Sequence, residues 1–416
     1  MNDPSEKKNG MDGILSGITA IEWATFGNGP ILGVILGDLG AEVIKLEDRI
    51  AGDPSRGIAA FYGTKTMTPQ GINLVFEFSN RNKKSIRVDL NKPKGKEIIY
   101  RLTEKSDVFY TNYRKSVAVR QGVDYKILSK YNPKLIYGMA SGLGPEGPDS
   151  EKRAFDPVGL ARSGLMTAAG EKGSPPGQIV GAIVDTLGAT MTAFGIISAL
   201  FARERTGIGQ EVNASLLGSA MWAQFSNISL TLLRGQTMGR YNRKEVRNPL
   251  ANIYQCKDGQ WIGLSEPQSD RYWSQFCKVM GIEHLEKDPR FTDEWKRRDN
   301  NKEFIAILDK IFAEKTREEW AELFQKQGKY FVAWERVQTI PDLLNDPQVI
   351  ANNYIVDFDH PVLGKIKVQP FPIRFSKTRV GPRGPAPEFG QHTEEVLLEI
   401  GYTWDDIAQL REEEVI

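Results

Sequence analysis

The first 145 residues alternate short runs rich in β-branched and aromatic residues with segments of helical periodicity. This alternation predicts a parallel β-sheet covered by helices on both faces, because parallel strands need a crossover that a helix usually supplies. In folds of this kind ligands bind at the carboxyl ends of the strands. The predicted strands are 17–24, 41–47, 84–90, 107–112 and 134–142, and the predicted helices include 29–40 and 93–105.

Beyond residue 145 the pattern predicts longer helices and then a change of architecture. A chain of 416 residues is too long for one ordinary core, so at least two domains are expected. Residues 250–335 form a predicted small domain, and the apolar tail after it is expected to return to the first domain. The predicted elements are helices over 156–205 and 212–233, a β-hairpin over 254–265, strands within 356–368 and a final helix from about residue 393.

Composition argues against several kinds of partner. The 54 lysines and arginines balance 53 aspartates and glutamates, so neither nucleic acid nor an anionic membrane is an expected partner. The start of the chain is polar and lacks an apolar signal segment. The most apolar long segment, 181–202, contains Asp185 and several threonines, which favours a buried core helix over a membrane span. We expect a cytoplasmic protein.

Thiols and imidazoles are sparse. Cys256 and Cys277 lack a basic neighbour in the sequence and are expected to be packing residues. The three histidines, His284, His360 and His392, are scattered along the chain. We therefore expect no metal site.

The usual nucleotide-binding motifs are missing, since neither a GxGxxG after the first strand nor a GxxxxGK[ST] is present. The turn at 27–30 exposes backbone amides at a predicted helix start, and such amides bind phosphate. Two basic, amide-rich loops, 80–84 and 112–115, lie near strand ends and could form one anion site. An ordinary turn or a solvated loop is the competing interpretation of each segment.

Two carboxylates stand out. Asp156 lies between Phe155 and Pro157, and because Asp before Pro is a common helix start, a cap and a catalytic group are both open interpretations. Asp185 is the odd residue in an apolar helix, where a carboxylate must be hydrogen-bonded, paired or protonated. From the residues alone, a structural role is favoured for Asp185.

Taken together, several segments resemble the family III CoA-transferases, the family of formyl-CoA transferase and carnitine CoA-transferase, and within it the aromatic-acid or benzylsuccinate type. The resemblance covers nearly the whole chain, and the order and spacing of the segments make it specific. The segments include GDLGAEVIKLE (37–47), GDPSR (52–56), SNRNKKSIRVDL (79–90), DVFYTNYR (107–114), NPKLIYGMASGLGPEGP (132–148), FDPVGLARSGLM (155–166), RTGIGQEVNASLL (205–217) and GQHTEEVLLEIGY (390–402).

The resemblance implies that Asp156 is the catalytic nucleophile. Its carboxylate would attack a donor acyl-CoA, such as succinyl-CoA, and form a mixed anhydride. It would then carry CoA as an aspartyl-CoA thioester until an organic-acid carboxylate, aromatic or dicarboxylic, accepts it. Acyl-CoA and the acceptor acid are substrates in this scheme, with no tightly bound cofactor, and water must be kept from both intermediates.

The resemblance also implies a set of CoA-binding positions. Asp48 stands where some family members carry a basic residue, so the chain departs from the family pattern at one CoA-contacting position. The basic segment 238–249 occupies roughly the place of a glycine run in formyl-CoA transferase, and Arg240, Arg243 and Arg247 in it face either a substrate carboxylate or solvent. The matched CoA-binding positions are Gly27, Asn28, Asn82, Lys83, Asn112, Tyr113, Arg114 and Arg120, with Lys45 and Arg56 as additional candidates.

Two alternatives to a catalytic transferase remain. The related α-methylacyl-CoA racemases carry histidine at the position of Phe155, and racemisation needs an acid and a base on opposite sides of the α-carbon. Phenylalanine cannot transfer a proton, so Phe155 favours CoA transfer. The other alternative is a non-catalytic subunit of a heteromeric CoA-transferase, against which the presence of Asp156 argues.

For the fold, the resemblance implies an α/β protein with a Rossmann-like large domain built from both chain ends, 1–225 and 340–416. A linker and a smaller α+β domain would occupy 226–339. Two chains are expected to interlock, either as a homodimer or as a heterodimer with a homologous chain.

Overall fold

The computed structural model describes residues 13–240, 242–328 and 331–416. These residues form two compact units, each assembled from separate stretches of the chain. The large unit comprises the described residues up to Thr167 together with Gln178–Thr237 and Gln348–Ile416, and the small unit comprises Ala168–Gly177 and Met238–Pro347. The domain limits implied by the family resemblance stay a prediction.

The large unit is built on a six-stranded parallel sheet. Its strands are β1 (Thr19–Trp23), β2 (Glu42–Asp48), β5 (Lys83–Val88), β6 (Val108–Thr111), β7 (Ile136–Ser141) and β8 (Gln210–Ser215), and two short strands, β3 (Ala60–Phe61) and β4 (Thr64–Lys65), pair separately as a hairpin. The sheet order is β5-β2-β1-β6-β7-β8, and each neighbouring pair is parallel. The predicted α/β architecture with a large parallel sheet is thus confirmed.

The strand order reverses between β1 and β6. From β1 the chain first adds β2 and β5 on one side, and it later adds β6, β7 and β8 on the other. At such a point the connections that leave the two strands diverge, which opens a crevice at their carboxyl ends. The crevice is therefore lined by the residues that follow Trp23 in β1 and Thr111 in β6.

Helices cover both faces of this sheet. The α-helices of the large unit include α1 (Asn28–Asp38), α2 (Leu74–Asn80), α3 (Pro93–Glu104), α4 (Lys115–Gln121), α5 (Tyr125–Leu128), α6 (Asp156–Arg162), α8 (Ile183–Thr206), α9 (Leu216–Ala223), α10 (Phe225–Arg234), α17 (Thr393–Glu399) and α18 (Trp404–Glu412). The short helix α7 (Leu165–Ala168) has its last residue in the small unit. Ile35 of α1 and Ile196 of α8 share one core with the sheet, and Ile98 of α3 and Leu397 of α17 share another. The strands are consequently buried on both sides.

Two predicted helices differ from the structure. The helix predicted over 156–205 is interrupted, because α6 ends at Arg162, α7 ends at Ala168, and helix resumes only at α8. Gly164 and Gly170, with φ values of 83° and 84°, follow the two short helices, and Pro175 and Pro176 then disfavour helix. The helix predicted over 212–233 begins instead as the strand β8, which pairs with β7. Gly209 allows this entry into the sheet, since a β-carbon there would lie 2.3 Å from the Leu135 carbonyl oxygen. Both predictions were wrong at these points.

The small unit encloses a core of its own that is rich in aromatic side chains such as Trp273, Phe304 and Trp320. The predicted hairpin is confirmed, with Gly259 at φ 78° in its turn. The strands are β9 (Ile253–Gln255), β10 (Trp261–Leu264) and β11 (Trp334–Arg336), in the order β11-β10-β9, and the helices are α11 (Ser269–Met280), α12 (Glu294–Asp299), α13 (Asn301–Phe312), α14 (Arg317–Gln325) and α15 (Ile340–Leu343).

After α16 (Pro347–Ala351) the chain forms the predicted strands near residue 360, the hairpin β12 (Val356–His360) and β13 (Gly364–Val368). Among the described residues, α8 is the one helix long and apolar enough to cross a membrane. It contacts α1, β7, β8 and α9, as the core helix predicted for this segment would.

Candidate active site

Asp156 is the first residue of α6, with Phe155 as the N-cap and Pro157 next in sequence. Its carboxylate, however, caps a different helix, α8. Oδ1 accepts hydrogen bonds from the backbone N–H groups of Val184, at 2.7 Å, and Asp185, at 3.1 Å. These groups open α8, whose own N-cap, Ala182, has no side chain that could accept them. Asp156, only 3% exposed, therefore caps the neighbouring helix with one oxygen.

Asp185 is the second carboxylate of this region. Burial, and then the negative charge of Asp156, raise the pKa of Asp185 to about 7. Near neutral pH Asp185 is therefore partly protonated, which limits its repulsion with Asp156 at the end of α8.

A cavity of about 280 Å³ opens beside Asp156, and we name it the aspartate cavity. The Tyr62 hydroxyl lies 3.5 Å from Asp156 Oδ2 in this cavity. Apart from the two carboxyl groups and this hydroxyl, the side chains around it are apolar. The lining residues are Phe26, Gly27, Ile31, Ile58, Ala60, Phe61, Tyr62, Val75, Phe78, Phe155, Asp156, Pro157, Ala182 and Asp185.

A second cavity, of about 420 Å³, lies at the carboxyl ends of β1 and β6, and we name it the strand-end cavity. It shares Phe26, Gly27, Phe155 and Asp185 with the aspartate cavity, and the rings of Phe26 and Phe155 meet edge to face with centroids 5.6 Å apart. The two cavities are thus adjacent, and the Phe26 and Phe155 rings line both of them. The other lining residues are Thr25, Asn28, Asn112, Tyr113, Arg114, Ala140, Ser141, Gly142, Lys152, Arg153, Ala154 and Leu216.

The turn at Thr25 and Phe26, after β1, is fixed by hydrogen bonds with the side chains of Asn112 and Asp53. Asn112 accepts from the Thr25 N–H at 3.1 Å and donates from Nδ2 to the Thr25 carbonyl at 2.7 Å. Asp53 Oδ1 accepts from the N–H of Phe26 at 3.3 Å, and Phe26 has a φ of 64°, in the left-handed region. A non-glycine residue in this region is strained, so its persistence depends on these contacts.

Asp53 belongs to a buried ion cluster beneath the turn. Lys45 Nζ lies 2.8 Å from both Glu22 and Asp53, and Lys83 Nζ lies 2.7 Å from Glu22. Although burial opposes it, the Glu22 and Asp53 carboxylates raise the pKa of Lys45. Burial, partly offset by Glu22, lowers the pKa of Lys83 to about 7. The cluster supports the site without opening onto either cavity.

The structure brings five of the predicted CoA-binding residues together. Gly27, Asn28, Asn112, Tyr113 and Arg114 all line the strand-end cavity. Asn28 is 6% exposed, and its Oδ1 has no hydrogen-bond partner among the described residues. A buried acceptor without a partner is uncommon in folded proteins and is often a site for a ligand or water.

Three other predicted residues lie outside both cavities. The Lys83 ammonium is buried, and it donates to carbonyls that include that of Pro30, at 2.9 Å. Asn82 donates to Asp38 at 2.7 Å and accepts from the backbone N–H groups of 383 and 384. Arg120 is exposed in the last turn of α4. Their assignment to CoA stays a prediction.

The additional candidates make internal contacts. Lys45 is in the buried ion cluster, and Arg56 forms a bidentate ion pair with Glu47, with donor–acceptor distances of 2.7 and 2.8 Å. Asp48 accepts from the N–H groups of the two residues Ile50 and Ala51 and shapes the loop after β2.

Sequence reasoning missed residues that the structure places at the site. Lys152 and Arg153 line the strand-end cavity, and Tyr62 lines the aspartate cavity. The first two were visible as a basic pair just before Phe155 and Asp156. Tyr62 gave no comparable signal, because it reaches Asp156 from 94 residues away.

The arginines of the basic segment 238–249 lie in the small unit. Arg243 pairs with Asp309 through two contacts, at 2.8 and 2.9 Å, and Arg240 donates to the Ser174 carbonyl at 2.5 Å. Arg247 is exposed. The Arg243 side chain is therefore engaged in a structural ion pair.

Metal ligands and reactive thiols do not gather at the site. Within the described ranges, no group of three or more His, Cys, Asp or Glu side chains is placed to hold a metal ion. Cys256 and Cys277 are buried in the small unit, and burial raises the pKa of these thiols to about 11 and about 12.

A crevice at the switch point of a parallel sheet is where α/β proteins bind ligands, and here a cavity with basic side chains and a buried carboxylate beside it suits an anionic ligand. The model of CoA-transferase family III matches residues 15–393, and the chain belongs to this family. The family prediction is thus confirmed. The protein is an enzyme, a CoA-transferase that acts on organic acids with CoA thioesters as substrates.

The relatives agree with this family. The chain is 31% identical to (R)-2-hydroxy-4-methylpentanoate CoA-transferase of Clostridioides difficile, over 97% of this chain and 99% of the relative. It is 32% identical to cinnamoyl-CoA:phenyllactate CoA-transferase of Clostridium sporogenes, over 97% of each. A crystal structure of a CaiB/BaiF family protein from Brucella suis superposes with a TM-score of 0.80 at 27% identity, covering 94% of this chain and all of that one.

Proposed function

We propose that this enzyme moves CoA from a donor acyl-CoA, such as succinyl-CoA, to the carboxylate of an aromatic or dicarboxylic acid through an aspartyl-CoA thioester on Asp156. The observation that carries the proposal is the difference between the two oxygens of Asp156. Oδ1 is held by the N–H groups of Val184 and Asp185, whereas the one described hydrogen-bond donor near Oδ2 is the Tyr62 hydroxyl, at 3.5 Å. One oxygen is fixed and the other is left to react.

This arrangement suits two successive attacks. Oδ2 first attacks the donor thioester carbonyl, the C–S bond breaks, and CoA leaves as a thiolate, so that a mixed anhydride of Asp156 and the donor acid is formed. The thiolate then attacks Cγ of Asp156, and negative charge develops on Oδ1. The N–H groups of Val184 and Asp185, at the positive end of the 24-residue helix α8, are positioned to stabilise that charge. The donor acid leaves, and the acceptor acid reverses the sequence.

We assign CoA to the strand-end cavity. Arg114, Lys152 and Arg153 form a basic rim for its phosphates. Asn28 Oδ1 offers an unused acceptor for an amide N–H of the pantetheine arm. Because this cavity meets the aspartate cavity at Phe26 and Phe155, a thioester bound along it would lie close to Asp156.

We assign the acyl group to the aspartate cavity. The aromatic and branched side chains of Ile58, Phe61, Phe78 and Phe155 suit an apolar or aromatic group. No basic side chain is among the described residues that line it, so this cavity favours an aromatic group over an unpaired second carboxylate. The names of the relatives include both an aromatic acid and a dicarboxylic acid. One relative is named for phenyllactate, and another, from Homo sapiens, for glutarate.

We also infer that two chains pair and interlock, as a homodimer or as a heterodimer with a homologous chain, and that the enzyme works in the cytoplasm. Large apolar side chains are exposed along α8, α9 and α10, including Phe194, Phe201, Trp222 and Leu233, and such a surface supports pairing. A relative from Chloroflexus aurantiacus is named as the β subunit of a succinyl-CoA–L-malate CoA-transferase, which supports the heteromeric form.

Mass spectrometry of trapped intermediates tests the proposed function. The purified chain is incubated with succinyl-CoA and with aromatic acyl-CoAs, treated with borohydride and digested. Reduction of an aspartyl thioester or anhydride converts Asp156 to a homoserine-like residue, a loss of about 14 mass units. We expect this loss on the Asp156 peptide and not in Asp156→Ala. Its absence with every donor, in a preparation that still transfers CoA, would refute the covalent route.

A further inference from the structure

Tyr62 occupies a strained position at the tip of the β3–β4 hairpin. The two turn residues, Tyr62 and Gly63, have φ values of 47° and 78°, both in the left-handed region. This is the usual geometry of a two-residue hairpin turn, in which asparagine, aspartate or glycine is preferred. A bulky residue at such a φ costs about 1 kcal/mol or more and persists where the surrounding structure or function requires it.

The strained turn directs Tyr62 at the nucleophile. Its hydroxyl is 3.5 Å from Asp156 Oδ2, the oxygen that receives no bond from α8. Its ring packs edge-on against Phe61, with centroids 4.7 Å apart, and both rings line the aspartate cavity. Burial and the nearby Asp156 charge raise the pKa of Tyr62, so its hydroxyl remains a proton-bearing donor at neutral pH.

We propose that Tyr62 is a catalytic hydrogen-bond donor that stabilises the oxyanion formed on the acyl group of the substrate. The proposal rests on the proposed function. When Oδ2 bonds to the acyl carbon, the carbonyl electron pair moves to the acyl oxygen, which is then attached to the same carbon as Oδ2. A hydroxyl already beside Oδ2 is within reach of that oxygen. The pair returns as the C–S bond breaks and the thiolate leaves, and Tyr62 transfers no proton.

The two tetrahedral centres of the reaction would then have different donors. Charge on the acyl oxygen would be met by Tyr62, and charge on Asp156 Oδ1 by the N–H groups of Val184 and Asp185. Removal of the Tyr62 hydroxyl should therefore slow attack at the acyl carbon and leave attack at the aspartyl carbon unchanged.

Tyr62→Phe keeps the ring and removes the hydroxyl. Loading of Asp156 from an acyl-CoA is followed in a single turnover by quenching, borohydride reduction and mass spectrometry. The isolated aspartyl-CoA form is separately treated with hydroxylamine, which attacks the aspartyl carbonyl without an acyl partner. We expect loading to slow by about 10²-fold and the hydroxylamine reaction to keep the wild-type rate. Tyr354→Phe, an exposed tyrosine outside both cavities, is the matched control.

The outcomes separate this inference from the function on which it rests. Wild-type loading in Tyr62→Phe would overturn the role of Tyr62 while leaving the aspartyl route intact. Equal slowing of loading and of hydroxylamine attack would also overturn it, because it would indicate a general displacement of Asp156. Failure of the wild-type enzyme itself to load any donor, in a preparation that still transfers CoA, would instead refute the aspartyl route.

Discussion

Gly27 and Asp185 are so close that a β-carbon added to Gly27 would lie 2.4 Å from Asp185 Oδ2. This contact joins the turn after β1 to the amino end of α8, the two elements that border both cavities. A side chain at this position would displace the carboxyl group of Asp185, the residue whose backbone N–H donates to Asp156.

We predict that Gly27→Ala displaces the Asp185 side chain, lowers CoA-transferase activity and reduces the free energy of unfolding by about 1–3 kcal/mol, as overpacking does. Gly57→Ala is the control, since a β-carbon there meets nothing within 4 Å, and its effect should stay within about 0.5 kcal/mol. Chemical denaturation and steady-state assays measure both. Equal stability of the two variants would contradict the close contact.

The capping and chemical roles of Asp156 can be separated. Asp156→Asn retains an oxygen for the N–H groups of Val184 and Asp185, whereas Asp156→Ala leaves them without an acceptor. Both variants remove the charge that raises the pKa of Asp185. We expect both to lose CoA transfer, with Asp156→Ala less stable than Asp156→Asn by about 1 kcal/mol. Denaturant titration of the two variants checks this, and equal stability would argue against the cap.

Asp185 should make stability fall as the pH rises. Its pKa is raised to about 7 in the folded protein from a usual value near 4, so the folded state binds more protons than the unfolded state between these values. Its contribution is therefore fully present below about pH 4, is lost progressively up to about pH 7, and is constant above it. We predict that Asp185→Asn removes this decline. Thermal unfolding between pH 4 and 8 measures it, and parallel curves for variant and wild type would disprove it.

The basic side chains at the rim of the strand-end cavity should strengthen the binding of acyl-CoA. We predict that Lys152→Ala raises the KM for the acyl-CoA donor roughly tenfold, with a smaller effect at high salt, because a charge-assisted contact to phosphate is lost. Lys130→Ala makes the same charge change at an exposed position outside the cavity and should leave KM unchanged. Similar KM values for both variants would place CoA elsewhere.

The enzyme should not exchange the α-proton of an acyl-CoA. Phe155, beside Asp156, carries no titratable group, and racemisation needs an acid and a base on opposite faces of the α-carbon. We predict no enzyme-dependent incorporation of solvent deuterium at the α-carbon, measured by mass spectrometry during CoA transfer. Incorporation that disappears in Asp185→Asn would instead support the racemase alternative.

Local sequence patterns predicted much of the large unit. Short runs rich in β-branched and aromatic residues, alternating with helical segments, indicated β1, β2, β5, β6 and β7, because strands buried on both faces are mostly apolar. β8 was missed. Its residues, exposed or half-buried at the sheet edge, are strand only because β7 pairs with them. Local propensity is a weak predictor where pairing decides the conformation.

The family, the parallel-sheet architecture and the candidate nucleophile Asp156 could all be predicted from the sequence, because they depend on the order of motifs and on local periodicity. Three features became visible in the fold alone: which oxygen of Asp156 is held, which predicted residues share a cavity, and that Tyr62 faces the carboxylate. These features join residues such as Asp156 and Val184, 28 positions apart, and Tyr62 and Asp156, 94 apart. Contacts between residues distant in sequence depend on how the strands and helices pack, which no local pattern records.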